Sequence, residues 1–323
     1  MTSALRRMHA SSGDGEETTM RELIIIGGGA AALSAGMYAL GKQLDFLMIY
    51  ESLGGKAGWR QNIIGQEEVE YLAGEEAVRI FERKIAMQTD RTIRDTVLAV
   101  QRAGTGFRVE TRTHGAFEAM AVIVATGATP VRLKAPGAQE LLGQGLGYSV
   151  TTHAHLLAGK TAAVIGSTHR ALRGVAELAR TAGKVYLIIP DPNAASLPMV
   201  HAVSQRPNVE ILAGYTVDEV AGPMNVEEIV VSRDGQQRRI AVDAAFADLG
   251  LHPCSECVQH LVRTDQDGFI WVDERMATTV PGIFAAGDVT TSFGEQVLIA
   301  IGDGARAALS AYDYLLMRAP VVR

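Results

Sequence analysis

Short apolar runs, each ending in a small-residue turn, set the rhythm of this chain. Leu23 to Ile26 form a continuous apolar run of the kind buried strands show, and Gly27-Gly28-Gly29-Ala30-Ala31-Ala32 turns it directly into an apolar helix. Phe46 to Tyr50 predicts the next strand. From Glu75 to Met87 the apolar residues recur at three- and four-residue steps, the helical period. Thr96–Gln101 and Phe107–Thr113, with Gly104 and Gly106 between them, predict a small hairpin layer. Ala121 to Pro130, AVIVATGATP, reads as another buried strand. From Lys160 the opening pattern returns, with a strand at Thr161–Ile165, a turn at Gly166–Ala171, a helix at Leu172–Thr181 and a strand at Val185–Ile189. Gly268–Val272 and Val280–Val289 predict two further strands, and Gln296–Leu316 a closing helix rich in Ala and Leu. The alternation predicts an α/β fold containing two Rossmann-like dinucleotide-binding domains.

Composition narrows the class without changing that picture. A length of 323 residues suits two domains, and 47% hydrophobic with 20% charged residues is ordinary for a soluble globular chain. The net charge of −6 with scattered Lys and Arg leaves no electrostatic footprint for nucleic acid. No apolar run approaches the roughly 18 residues of a membrane span. Residues 1–20 are polar and lack the apolar core of a secretory signal; they read as a disordered tail or an upstream start, with Met20 as an alternative initiator. Two cysteines exclude a secreted disulfide scaffold and fit a cytoplasmic protein.

The candidate chemistry starts at the first turn. In a dinucleotide fingerprint Gly27 makes the turn, Gly29 lets backbone approach a pyrophosphate, and Ala32 lets the helix pack on the strand. The N–H groups at the helix start, from Ala30 on, then face the diphosphate. The strand ending at Tyr50 leads into Glu51, 22 residues beyond Gly29, against the roughly 20 expected for a carboxylate that takes a ribose hydroxyl pair.

Three motifs in order, GGGAAA at the start, ATGA at Ala125–Ala128 and VPGIFAAGDV at Val280–Val289, resemble the low-molecular-weight thioredoxin reductases and their relatives among flavoproteins with two dinucleotide folds. The resemblance spans Arg21 to Leu316. It implies an FAD domain of residues 21–131 and 251–323, interrupted by an inserted nucleotide domain of residues 132–250. It further implies that Gly27, Gly29, Ala30, Ala32 and Gly55 hold the FAD pyrophosphate region and Glu51 the adenosine ribose. Ala125, Thr126 and Gly127 line the site, Gly287 and Asp288 take the ribityl chain, and Gln296 and Val297 start the helix that faces the pyrimidine ring. A homodimer is implied as well.

The departures from that family carry most information. Where its members have a redox-active CATC, this chain has Ser149-Val150-Thr151-Thr152, and His153 stands in place of the acidic residue that follows. A general-acid role for His153 is one reading; with His155 it forms an H-x-H pair that lacks further obvious metal ligands. In the second fold the fingerprint has become Gly166-Ser167-Thr168-His169-Arg170-Ala171, and the family's NADP-binding HRR is replaced by Ile189-Pro190-Asp191. Asp191 repels a 2′-phosphate and suits free ribose hydroxyls, so a second FAD is expected there, held by Gly166, Thr168, Arg170 and Asp191, as in the diflavin-linked disulfide oxidoreductases. His169 and Arg173 flank that helix start, where the plainer alternative is solvated surface.

The two cysteines, Cys254 and Cys257, form Cys-Ser-Glu-Cys just after Gly250-Leu251-His252-Pro253, which matches the family's GxxP segment. A relocated redox dithiol, a zinc site completed by His252 and His260, and two inert thiols are the three readings; a helix starting near Cys254 favours the first by lowering a thiol pKa. The sequence thus predicts an FAD-dependent disulfide oxidoreductase without a usual NADPH site, with a thioredoxin-like or ferredoxin-like redox protein as donor or acceptor. A ferredoxin–NADP reductase-like flavoprotein and a non-catalytic flavin-binding redox sensor are the alternatives.

Overall fold

The structure, a computed structural model, describes residues 20–59, 62–63 and 74–318. The tail proposed for residues 1–20, apart from Met20, lies outside the described residues, as do 319–323 of the expected first domain and most of the polar loop that follows Trp59. The described chain divides into two compact units. The first comprises 20–58, 74–129 and 253–318, and the second comprises 59, 62–63 and 130–252. Trp59, Asn62 and Ile63 thus belong with the second unit, where Ile63 packs with Val150 and Leu157, and the Trp59 ring lies 6.1 Å from that of Tyr148.

In the first unit Arg21–Ile26 is the central strand, paired in parallel with Phe46–Tyr50 on one side and Ala116–Val124 on the other. Thr92–Arg94 extends the sheet past Phe46–Tyr50, and Ile283–Ala285 pairs in parallel with Val122–Val124. The hairpin Val97–Ala103 and Gly106–Thr111 adds on in antiparallel fashion. Leu23 and Ile25 face one apolar cluster while Ile24 and Ile26 face another. A strand buried on both faces has no polar side to alternate with, which is why LIII is unbroken.

Three helices cover the first of those faces. Helix α1 (Ala30–Gly41) follows the Gly-rich turn, and α2 (Glu75–Ala86) packs its Ile85 where a Cβ on Gly36 would lie 2.9 Å from Ile85 Cδ1. The second unit holds α3 (His169–Leu178) and the short α4 (Pro198–Ser204), and the first unit closes with α5 (Val297–Leu316). Helices α1 and α5 meet at small residues: a Cβ on Gly304 would lie 2.0 Å from the Ala31 carbonyl oxygen, and Ser34 Oγ donates to the Ile301 carbonyl at 2.7 Å.

The second unit repeats the design. Thr161–Ile165 is flanked in parallel by Lys184–Ile189 and Ala244–Ala247, with Val209–Ala213 and Leu146–Gly147 at the edges. An antiparallel meander, Thr216–Ala221, Glu228–Arg233 and Gln236–Ala241, completes it. Two expected strands change. Gly268–Val272 contributes only isolated bridges at Ile270, and Val280–Val289 shrinks to Ile283–Ala285. Gly282 (φ +93°) and Gly287 (φ +73°) turn the chain at either end of that stretch, and Gly287–Val289 is a single 3₁₀ turn.

Candidate functional site: an open helix start beside Cys254

The first turn is built from glycines for different reasons. Gly27 has φ +124°, and a Cβ there would sit 2.2 Å from the Ala125 carbonyl oxygen. A Cβ on Gly28 would lie 2.0 Å from the Ser52 carbonyl oxygen. Those two are demanded by the fold. Gly29 is not: it is extended, with φ −80° and ψ −173°, and a Cβ on it would meet nothing nearer than the Gly55 Cα at 4.0 Å. Gly29 is also the N-cap of α1, a position that usually carries Ser, Thr, Asn or Asp, and no side chain caps this helix. A residue that neither its backbone nor its neighbours require, at an uncapped helix start, fits a bound anion that must come close to the main chain. Gly55 (φ +57°) supports the opposite wall, since its own Cβ would lie 2.9 Å from the Gly29 Cα.

The other residues assigned to FAD lie in the same unit. Ala125, Thr126 and Gly127 continue the strand Ala116–Val124, with Ala125 N donating to the Ile26 carbonyl at 2.8 Å. Glu51 is exposed, and its carbonyl accepts from Arg94 Nε at 3.0 Å. Asp288 forms an ion pair with Lys56, Oδ2 to Nζ 2.7 Å, so the carboxylate expected to take a ribityl hydroxyl already carries a cationic partner. Gln296 is the N-cap of α5 and Val297 its first residue, again with no side-chain cap.

Cys254 is joined to this segment. Its N–H donates to the Gly127 carbonyl at 2.9 Å, and its own carbonyl accepts from Thr126 Oγ1 at 2.6 Å. Its sulfur lies 3.6 Å from Thr129 Oγ1, a hydroxyl that can donate to a thiolate. The helix expected to begin at Cys254 does not form; residues 256–261 are turns, and Ser255 Oγ is used on the Gly268 carbonyl at 2.7 Å instead. Cys254 is half-buried and Cys257 is 6% exposed, inside the cluster that holds Val100, Phe107 and Val258. Burial in that apolar setting, with Glu256 nearby, pushes the Cys257 thiol up to about 12. Both thiols are free. Among the described residues no group of three or more His, Cys, Asp and Glu side chains is placed to hold a metal ion.

The second-unit residues are placed differently from expectation. Thr168 caps α3, accepting from Ala171 N at 3.0 Å, and its hydroxyl also reaches Asp248 Oδ1 at 3.2 Å. Arg170 grips the same carboxylate in bidentate fashion, Nε to Oδ2 and Nη2 to Oδ1, both 2.7 Å. Asp191 caps the 3₁₀ turn Pro192–Ser196 through Asn193 N at 2.9 Å. Gly166 (φ +130°) is held by the fold, since a Cβ there would lie 2.1 Å from the Asp248 carbonyl oxygen. Of the residues assigned to a second FAD, Thr168 and Arg170 are engaged with Asp248, and Asp191 with its own turn. His153 stacks on Phe246 with centroids 6.5 Å apart, and its Nδ1 lies 3.4 Å from the Ser149 carbonyl.

Two carboxylates escaped the sequence reading, Asp248 and Asp303. Asp303, in α5, is 5% exposed and its Oδ2 has no hydrogen-bond partner among the described residues. Burial raises its pKa, while Arg306, Ser292 and the Gly287 backbone oppose the rise and Asp288 adds to it. A carboxyl raised in the fold costs stability as the pH climbs past its unfolded value and it must ionise while buried. Asp303→Asn is expected to raise Tm at pH 7.5 and to have a smaller or no benefit at pH 4.5. An equal change at both values contradicts a raised Asp303.

A parallel strand turning through glycines into an uncapped helix, with a carboxylate at the C-terminal edge of the sheet, defines a dinucleotide-binding fold. Known proteins agree. A family model for pyridine nucleotide-disulphide oxidoreductases matches residues 21–304. A thioredoxin reductase from Treponema pallidum is 33% identical over 310 residues, covering 91% of this chain and 97% of that protein. An alkyl hydroperoxide reductase component from Pseudomonas aeruginosa is 32% identical over 321 residues; the match covers 95% of this chain, which spans only 61% of that protein's length. A solved thioredoxin reductase from Streptococcus pyogenes superposes with a TM-score of 0.82 at 25% identity, covering 93% of this chain and 99% of that one. The chain belongs to the pyridine nucleotide-disulphide oxidoreductase family and is similar to thioredoxin reductases. No helix among the described residues is long and apolar enough to cross a membrane.

Proposed function

We propose that this chain is an FAD-dependent disulfide oxidoreductase whose redox dithiol is Cys254–Cys257. The observation that carries the reading is the pair of hydrogen bonds, 2.9 and 2.6 Å, that fasten the Cys254 backbone to Gly127 and Thr126. FAD would be held by Gly27, Gly29, Ala30, Ala32, Gly55, Glu51, Ala125, Thr126, Gly127, Gly287, Asp288, Gln296 and Val297. When bound, it would supply a two-electron carrier for the dithiol. The thiolate of Cys254 attacks one sulfur of a partner disulfide, forming a mixed disulfide and releasing the partner's other sulfur as a thiolate. Cys257 then gives up its proton and attacks the Cys254 sulfur, freeing the partner's second thiol and leaving a Cys254–Cys257 disulfide. Two electrons have passed to the partner, together with the Cys257 proton and the proton that Cys254 released on ionising. The exposure of the two sulfurs fits this order, since the attacking thiol must be reached and the resolving one need only reach its neighbour.

The Treponema pallidum relative is by name a thioredoxin reductase, and a thioredoxin-like disulfide protein is the partner class proposed here. NADPH in the family's usual pose is not the proposed donor, because Asp191 stands where a 2′-phosphate calls for a cation. A ferredoxin-like or dithiol protein takes that place. We further assign the working protein to the cytoplasm as a homodimer.

One FAD per chain is expected, in place of the two that Asp191 suggested. Flavin released by denaturation, measured against protein after full loading, tests this directly. A ratio near one agrees, and a ratio near two restores the second flavin.

A further inference from the structure

The two units use the same turn, and two of its positions differ. In the first unit Gly27 N donates to the Ile49 carbonyl at 2.8 Å and Ala125 N to the Ile26 carbonyl at 2.8 Å; in the second, Gly166 N donates to the Ile188 carbonyl at 2.9 Å and Asp248 N to the Ile165 carbonyl at 2.9 Å. A Cβ on Gly27 would strike the Ala125 carbonyl oxygen, and one on Gly166 the Asp248 carbonyl oxygen, at 2.2 and 2.1 Å. Ala125 and Asp248 are therefore equivalent positions, as are Gly29 and Thr168. Alanine with glycine leaves the start of α1 open. Aspartate with threonine fills the start of α3.

We infer that Asp248 excludes nucleotide diphosphates from the second unit, acting as a built-in anion at the N-terminus of α3. Its residue is 0% exposed, and its two carboxylate oxygens take the Thr168 hydroxyl and both arms of Arg170. The helix N-terminus, the cap and the guanidinium are the groups that would otherwise receive a diphosphate. With Asp248 present the cap hydroxyl and the guanidinium are already engaged, and an incoming diphosphate would face its negative charge. Arg170 also lies 3.5 Å from the Tyr148 carbonyl through Nη2, which directs its fork inward toward Asp248. The exclusion agrees with the protein donor proposed above, and the dithiol does not enter into it. On this inference Asp248, together with Asp191 at the ribose end, closes the second unit to nicotinamide dinucleotides.

The test is a gain of binding, read by isothermal titration with ADP, NADH and NADPH on FAD-loaded protein. Wild type is expected to bind none of them in the second unit at concentrations up to about 1 mM. Asp248→Asn keeps the shape and removes the charge, and Asp248→Ala removes the side chain. Each is expected to bind ADP and NADH at least about tenfold more tightly than wild type, with FAD content unchanged. Asp248→Ala combined with Arg170→Ala should lose that gain. Micromolar binding of NADH or NADPH by wild type overturns the inference, as does the absence of any gain in Asp248→Asn. If Asp248→Ala fails to fold, the Asn variant alone decides. The flavin ratio and the thiol chemistry are measured separately, so this inference and the proposed function fail on different readouts.

Discussion

Gly29→Asp is expected to leave purification colourless while the apoprotein becomes slightly more stable. The two effects have opposite signs because they act on different states. The Gly29 backbone is extended and its Cβ direction is empty to 4.0 Å, so a side chain enters without strain. As an N-cap, aspartate accepts from the first-turn N–H groups of α1 and places a negative charge at the positive end of the helix, worth about 0.5 kcal/mol over glycine. The same carboxylate stands in the space proposed for the FAD diphosphate. Like charges about 4 Å apart at an effective dielectric of about 20 repel by about 4 kcal/mol, close to a thousandfold in affinity. Absorbance near the flavin maximum and the apoprotein Tm check both halves. A variant that retains full FAD shows that the diphosphate lies elsewhere. A variant with lower Tm than the wild-type apoprotein shows that Gly29 is needed by the fold, as Gly27 is.

This variant also asks whether the first unit can be made like the second. The second unit already carries a carboxylate and a hydroxyl at its helix start, from Asp248 and Thr168. If Gly29→Asp closes the first site and Asp248→Asn opens the second, the charge at one helix terminus decides which unit takes a dinucleotide. The strands, turns and helices around it are then a common frame. Such a frame tolerates the loss of one ligand because its stability rests on strands buried on both faces, such as Leu23–Ile26 and Ala162–Ile165.

The parts of this arrangement legible in the sequence were the local ones. An apolar run passing into Gly-Gly-Gly-Ala needs only neighbouring residues to be recognised, and so does its partial repeat at Thr161–Ala171. Asp248 left no such mark. It lies 78 residues from Arg170, at the end of the strand Ala244–Ala247, and its meaning depends on a parallel pairing that periodicity cannot reveal. The same distance in sequence hid the bond between Thr126 and Cys254, 128 residues apart. Val280–Val289 misled in the other direction: its apolar residues are buried as a strand's would be, but Gly282 and Gly287 take left-handed backbone angles and cut the strand to Ile283–Ala285. The helix expected at Cys254 failed because Ser255 bonds to Gly268 and the chain proceeds by turns.

The largest loss of activity is expected from Cys254→Ser and Cys257→Ser, each reducing disulfide turnover by at least about a thousandfold while FAD stays bound. What separates a working pair from two inert thiols is the asymmetry of their surroundings. Cys254 is half-buried, with a hydroxyl 3.6 Å from its sulfur; Cys257 lies in the apolar cluster with its thiol pushed up to about 12. In reduced native protein at pH 8, alkylation should therefore modify Cys254 and spare Cys257 until the chain is unfolded. The sign follows from the thiolate being the nucleophile: a thiol held near 12 is almost wholly protonated at pH 8, whatever its access. Once a mixed disulfide has formed on Cys254, the resolving attack is intramolecular, and proximity offsets the small thiolate fraction of Cys257. An aromatic disulfide that releases a coloured thiol counts these steps. Reduced wild type should release about two equivalents, Cys257→Ser about one with the second half retained on Cys254, and Cys254→Ser close to none on the same timescale. Release from Cys254→Ser at the wild-type rate, or a Cys257→Ser variant with normal turnover, removes the dithiol from the mechanism and leaves the flavin to exchange electrons with its partner by another route.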